Sequence, residues 1–203
     1  VELALVVSGA SGSALAVEVA RRAGASPEVE RLHVVVTGPG ARVAAHELGR
    51  EWAGSRAFCR QLAVAHPELE GRLAPWPDGD LMAPIASGSY RLGGVAVVPC
   101  SAGMAGAIAH GISRGLGQRV ADVALKQRWP LVLGIRETPM SAVLLENLLR
   151  LARLGVHVVP PVPAFYLEGE PEDALGRFRA HYAVRVLDLL GVPTEDRGLR
   201  WEP

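Results

Sequence analysis

Residues 8–13 read Ser-Gly-Ala-Ser-Gly-Ser, between an apolar run and a helical pattern. Small residues at that junction let a ligand approach the backbone. The first N–H groups of a helix, with its dipole, favour an anion, most often a phosphate. The stretch is not the G-x-G-x-x-G of dinucleotide-binding proteins, because only Gly9 and Gly12 are glycine, and it lacks the lysine of a P-loop. It points to a phosphate-bearing ligand such as a mononucleotide; the competing reading is a tight turn capped by Ser11.

Other residues could do chemistry or none. Lys126 and Arg128 read equally as solvated charges at a helix end, Arg136-Glu137 as a surface ion pair, and Glu47 as the polar face of an amphipathic helix. Tyr166 in a proline-rich loop could be a packing ring. Cys100 reads as a small buried hydrophobe and His110 as structural.

The elements that must position these residues alternate in type. Apolar runs at Val1–Val7, Leu32–Thr37, Gly94–Cys100, Trp129–Ile135 and Gly155–Pro160 predict five strands, and the continuous run Val1–Val7 is the mark of one covered on both faces. Helices are expected over Ser13–Ala23, near Ala41–Trp52 and over Glu172–Leu190, and residues 55–78 read as less regular surface chain. Alternation of this kind predicts a single α/β domain over 1–203, a Rossmann-like parallel sheet with helices on both faces. Ligands then bind beyond the C-terminal strand ends. Those ends carry Ser-Gly-Ala-Ser, Thr-Gly-Pro-Gly, Pro-Cys-Ser-Ala-Gly, Arg-Glu-Thr-Pro and Pro-Pro-Val-Pro-Ala-Phe-Tyr.

Composition narrows the class. Lys+Arg and Asp+Glu are 21 each, so the chain has no basic excess for a general nucleic-acid surface. Two cysteines give neither a disulfide framework nor a zinc spacing, and the reducing cytoplasm is the simplest setting. No apolar run has the length of a membrane span, roughly 20 residues.

The strand-end segments, taken in order, resemble the flavin prenyltransferases of the UbiX type, within the homo-oligomeric flavin-containing decarboxylase-like proteins. The matching stretches are SGASGS (8–13), APIASGSY (83–90), VVPCSAG (97–103), IAHGIS (108–113), RVADVALKQRWPLVL (119–133), RETPMS (136–141), LLRLARLGVHVVPPVPAFY (148–166) and RVLDLLGVP (185–193). The resemblance implies a flavoprotein fold and a metal-independent reaction. A dimethylallyl group from dimethylallyl phosphate is joined to N5 and C6 of reduced FMN. The product, prenylated FMN, serves a UbiD-type decarboxylase. It also implies a homo-oligomer, a dodecamer, with FMN at subunit contacts.

By the same resemblance, Gly9, Ala10, Ser11, Thr37, Ser101, Ala102, Gly103, Met104, Arg119 and Arg136 are expected at the flavin. Lys126, Tyr166 and Arg185 are expected to clamp the prenyl phosphate. Glu137 matches an acid for the departing phosphate, and Glu47 works with Ser11 on proton transfer. A carboxylate in a dry pocket can hold a raised pKa for such work.

Departures from the family pattern are specific. Met104 stands where a threonine is usual, Arg114-Gly115 replaces Asp-Asn, Trp129 replaces a basic residue, and Thr37 replaces serine. The spacing from Tyr166 to Arg185 is about one helical turn longer, with extra residues around Glu168–Glu170 or Arg179–His181. Alternative readings are a non-catalytic FMN-binding subunit and a flavin-dependent cysteine decarboxylase. The latter's catalytic histidine and Met-Asn motif are not found.

Overall fold

The computed structural model describes residues 1–167, 173–194 and 198–200. Six parallel strands form one sheet in the order β3-β2-β1-β4-β5-β6. They are β1 (Glu2–Val7), β2 (Arg31–Val36), β3 (Leu73–Pro77), β4 (Gly94–Cys100), β5 (Leu131–Ile135) and β6 (His157–Val158). The order reverses between β1 and β4, which pair in register from Leu3 with Gly94 to Val6 with Val97. A crevice opens beyond the strand ends at such a reversal.

The α-helices among the described residues are α1 (Ser13–Ala25), α2 (Gly38–Glu47), α3 (Ser55–Ala65), α4 (Ala102–Ala109), α5 (Leu116–Gln127), α6 (Ala142–Arg153) and α7 (Ala174–Leu189). They divide the core into two layers. One face of the sheet packs Leu15, Val19, Phe58 and Leu62 with Tyr182, Val186 and Leu187, which joins α1, α3 and α7. The other packs Met104, Ile108, Leu116, Val120, Leu144 and Leu148, which joins α4, α5 and α6. Both faces of β4 are covered, so all seven of its residues are buried and its sequence is apolar without alternation.

Two expectations are corrected. Residues 55–78 are not irregular surface chain: they hold α3, a short 3-10 turn at Pro67–Leu69 and the edge strand β3. Phe58, Leu62 and Leu69 are fully buried. The strand was hidden because Leu-Ala-Pro-Trp-Pro carries two prolines, which a sheet edge tolerates where a central strand does not. The helix expected near Ala41–Trp52 is α2, starting earlier at Gly38 and ending at Glu47, followed by a separate 3-10 turn at Arg50–Trp52. Gly49, with φ of 118°, breaks it. Glu172 and Glu168–Glu170 lie outside the described residues; the closing helix runs Ala174–Leu189.

Candidate functional site

A pocket of about 330 Å³ opens at the sheet reversal, lined in part by Gly9 after β1, Thr37 after β2, Ser101 and Gly103 after β4, and Asp78 after β3. Three helices begin there. Thr37 caps α2 by accepting the Gly40 N–H at 3.1 Å, and its hydroxyl also bonds the Val7 carbonyl. Ser101 caps α4 by accepting from Met104 N–H at 3.2 Å. The N–H groups of Ala102 and Gly103 keep no partner among the described residues. Ser8 ties the floor together, donating to the Pro99 carbonyl and accepting the Ser101 N–H at 2.8 Å.

The start of α5 is closed differently. Asp78 accepts the Gly117 N–H at 2.9 Å. A Cβ on Gly115 would lie 2.8 Å from one Asp78 carboxylate oxygen and 2.9 Å from the other. A side chain at 115 would therefore have to displace the Asp78 carboxylate. Sequence reasoning missed Asp78, which sits in a Pro-Asp-Gly turn within the stretch read as irregular; a carboxylate in a turn at a strand end was the available signal.

The small-residue turn that opens the chain is also occupied. Gly12 is the N-cap of α1, with φ of 116° and no side chain to cap with. The Glu47 carboxylate fills that role from α2, accepting the Gly12 N–H at 3.1 Å and the Ser13 N–H at 2.8 Å. The Ser11 side chain bonds the same carboxylate. So the anion at the start of α1 is the chain's own, and a cap by Ser11 is not what forms. Ser11 and Glu47 are brought together. Glu47's pKa is not raised: burial pushes it up, but the bonds from Ser11, Ser13 and Gly12 outweigh this and hold it below its ordinary value.

The remaining candidates are scattered. Arg119 is half-buried and held by the Ala86 carbonyl at 3.0 Å and by Asp122 at 2.7 Å. Lys126, near the C-terminal end of α5, lies beside Gly88 and is exposed. Arg136 and Glu137 follow β5 and are exposed; Glu137 accepts the N–H of Thr138. Tyr166 meets His181 on α7, with its hydroxyl 3.1 Å from Nε2. Arg185, also on α7, is exposed and 3.5 Å from Asp188. α5 and α7 pack on opposite faces of the sheet, so within one protomer Lys126 and Arg185 stand on helices of different layers.

Cys100 is fully buried, and burial pushes its thiol up to about 12, which makes it an inert core group. His110 is exposed and bonds Asn147. Among the described residues no cluster of three or more metal-ligating side chains occurs, and no helix is long and apolar enough to cross a membrane.

A parallel sheet of this order, with a pocket at its reversal point, defines an α/β protein of the mononucleotide-binding class. The flavoprotein family model matches residues 1–183. The chain is 38% identical over 190 residues to the flavin prenyltransferase UbiX of Deinococcus radiodurans, covering 94% of this chain and 88% of that one. It is 34% identical over 197 residues to its counterpart in Archaeoglobus fulgidus, covering 97% of each. Among solved structures, a dodecameric FMN-dependent UbiX-like decarboxylase from Escherichia coli O157:H7 superposes with a TM-score of 0.82 at 33% identity, over 100% of both chains. AnUbiX (PadA1), solved with FMN and dimethylallyl pyrophosphate, gives 0.79 at 32% identity, over 100% of this chain and 97% of that one. The chain belongs to the flavoprotein family and, within it, to the flavin prenyltransferases of the UbiX type.

Proposed function

We propose that this chain is a metal-independent flavin prenyltransferase that binds reduced FMN at the sheet-reversal pocket. It transfers a dimethylallyl group from dimethylallyl phosphate to N5 and C6 of the flavin. The observation that carries the reading is the pocket itself: the family's flavin segments, around Gly9, Thr37 and Ser101–Met104, converge there from three strands. The residues present fit the group. The free N–H groups of Ala102 and Gly103 suit an anion, and a Cβ at Gly103 would meet nothing within 4 Å, so the approach is open. The reduced flavin, when bound, supplies the nucleophilic atoms. The chain's own part is to bind it, hold the donor's phosphate and move protons.

Glu47 and Ser11 form one such proton-handling pair at the start of α1. Glu137, exposed at the β5 end, supplies the acid for the departing phosphate. Arg136 and Arg119 support the flavin, and Ala10 sits in its turn.

The donor's phosphate needs several cations or hydroxyls around it. Lys126 and Arg185 stand on helices of different layers, and the clamp is completed between copies of the chain. Exposed apolar side chains support assembly: Met82 is 92% and Phe165 96% exposed. The assembly is a homo-oligomer, a dodecamer as in the Escherichia coli relative. Its product, prenylated FMN, passes to a UbiD-type decarboxylase, and the setting is the cytoplasm.

Incubation of the purified chain with reduced FMN and dimethylallyl phosphate, followed by mass spectrometry of the released flavin, tests the reading. A flavin heavier by one prenyl unit is expected. Recovery of unmodified FMN alone favours the second reading, a flavin-binding subunit without chemistry, for which the buried Met104 in place of a hydroxyl residue is the specific observation.

A further inference from the structure

We infer that Arg114 binds the phosphate of the flavin mononucleotide, a contact made necessary by Asp78 on the opposite side of the charge balance. The inference rests on the flavin reading above and names one residue of that site.

Arg114 stands in the loop between α4 and α5 and lines the switch-point pocket with Thr37, Ser101, Gly103, Asp78 and Gln118. Among the described residues lining that pocket it is the one cationic side chain. Its backbone is fixed, since its N–H donates to Gln118 Oε1 at 2.7 Å. Its guanidinium makes no hydrogen bond or ion pair with any described residue, although Asp78 lines the same pocket. An exposed arginine without a partner, on a backbone held in place, presents a planar donor fork to whatever enters.

The electrostatics select the part of the ligand. Asp78 already occupies the N-terminus of α5, and Glu47 that of α1. Two of the helix ends near the site are thus neutralised by internal carboxylates and attract no further anion. A phosphate can still use the N–H groups of Ala102 and Gly103, but there it shares the pocket with the Asp78 carboxylate. Repulsion between the two must be offset locally, because the chain as a whole is neutral. Arg114 is the group placed to do so. The isoalloxazine of the oxidised flavin is uncharged and has no such requirement. Gly115 belongs to the same arrangement: it leaves Asp78 room, while its neighbour supplies the opposite charge.

The test is titration of the full chain with FMN and, separately, with riboflavin, which lacks the phosphate. Both are followed by flavin fluorescence at low salt for the parent, Arg114→Ala and Arg114→Lys. Loss of a charge-assisted hydrogen bond should weaken FMN binding by Arg114→Ala roughly 10- to 100-fold. Riboflavin binding should stay within about twofold, and Arg114→Lys should recover part of the loss. Unchanged FMN affinity in Arg114→Ala, with a parent that binds FMN, overturns the inference and leaves the flavin reading standing. Equal loss for both flavins also overturns it, placing Arg114 at the ring or in the fold. A parent that binds neither flavin overturns the flavin reading itself, and this inference with it.

Discussion

Replacing Glu47 should destabilise the fold by an amount the structure allows to be worked out. The N-cap position of α1 is a glycine in the left-handed region, which offers the helix no side-chain acceptor. Glu47 supplies it from α2, across 35 residues of sequence from Gly12, taking the N–H groups of Gly12 and Ser13 and the Ser11 side chain. Hydrogen bonds to a charged group are each worth about 1.5–3 kcal/mol when shielded. Loss of an ordinary cap costs about 0.5–2 kcal/mol. Glu47 is exposed, so solvent screening puts the figure for Glu47→Ala near the lower part of these ranges, about 1–2 kcal/mol. For a chain of this size that lowers Tm by roughly 2–8 °C. Glu47→Gln keeps an acceptor oxygen and loses the charge, so it should fall between the parent and Glu47→Ala.

The pH dependence has a definite sign. Glu47's pKa lies below its ordinary 4.5, despite the opposing effect of burial, because the bonds from Ser11, Ser13 and Gly12 favour the carboxylate. Between the folded and unfolded values the unfolded chain binds more protons, so stability rises with pH there. The contribution is complete above about pH 4.5 and is lost as pH falls through the lower folded value. Urea unfolding at fixed protein concentration, from pH 7 down to the acid limit of solubility, measures it for the parent and both variants. The gap between parent and Glu47→Gln should close toward acid. A Glu47→Ala variant as stable as the parent at pH 7, or a gap that does not change with pH, would refute the capping argument.

Three further outcomes follow from the same structure. Gly115→Ala should cost about 1–3 kcal/mol in urea unfolding, the usual range for overpacking, because its Cβ would press on the Asp78 carboxylate; the double variant with Asp78→Gly should lose less than the sum of the two single changes. His33 is buried, accepts the Trp76 indole N–H on Nδ1 at 2.9 Å and places Nε2 2.7 Å from Glu2, which Tyr90 also bonds; burial, and to a lesser degree Arg31, outweigh the pull of Glu2 and hold its pKa below 6.5, so its contribution to stability is complete above about pH 6.5 and declines below it, and an imidazole resonance titrating at or above 6.5 would contradict this. Lys126→Ala and Tyr166→Phe should each raise the apparent KM for the prenyl donor, and chains unfolded together and co-assembled should recover part of the parent activity; mixtures no better than the separate variants would place both residues in one copy's clamp.

The parts of the fold legible in the sequence were those whose signal is local. β1, β2 and β4 are covered on both faces and read as uninterrupted apolar runs, and their ends are where the pocket forms. β3 was not legible because it is an edge strand with two prolines, and α3 because the apolar stripe it buries, Phe58, Cys59 and Leu62, is short. The site divides in the same way. Gly9, Thr37, Ser101, Gly103 and Met104 could be placed at one pocket because strand ends are local features that the sheet gathers. The clamp of Lys126, Tyr166 and Arg185 could not be placed, because which face a helix covers depends on crossovers that no single segment encodes. α5 and α7 fall on opposite faces, and the sequence positions of these residues carry no trace of it.

The internal carboxylates tie these observations together. A helix start pointing into a crevice attracts an anion, and three helices start at this one, with a fourth, α1, beginning beside it. If all four were open, the pocket would hold anions indiscriminately, and the chain's neutral charge would do nothing to prevent it. Glu47 closes α1 and Asp78 closes α5, each from a distant segment, so the positive ends are satisfied without a ligand. At α2, Thr37 takes the Gly40 N–H and Pro39 has none to offer; at α4 the N–H groups of Ala102 and Gly103 stay open, beside one unpaired arginine. The position of the phosphate is then set less by where positive potential exists than by where the chain has left it unmatched. That makes Asp78 as much a determinant of ligand position as any residue that touches the ligand. Asp78→Asn should therefore tighten FMN binding by removing repulsion while leaving an acceptor for Gly117. Titration of that variant with FMN and riboflavin separates the two effects. A gain for FMN alone supports the balance described, whereas equal or weaker FMN affinity would show that Asp78 acts only on the helix.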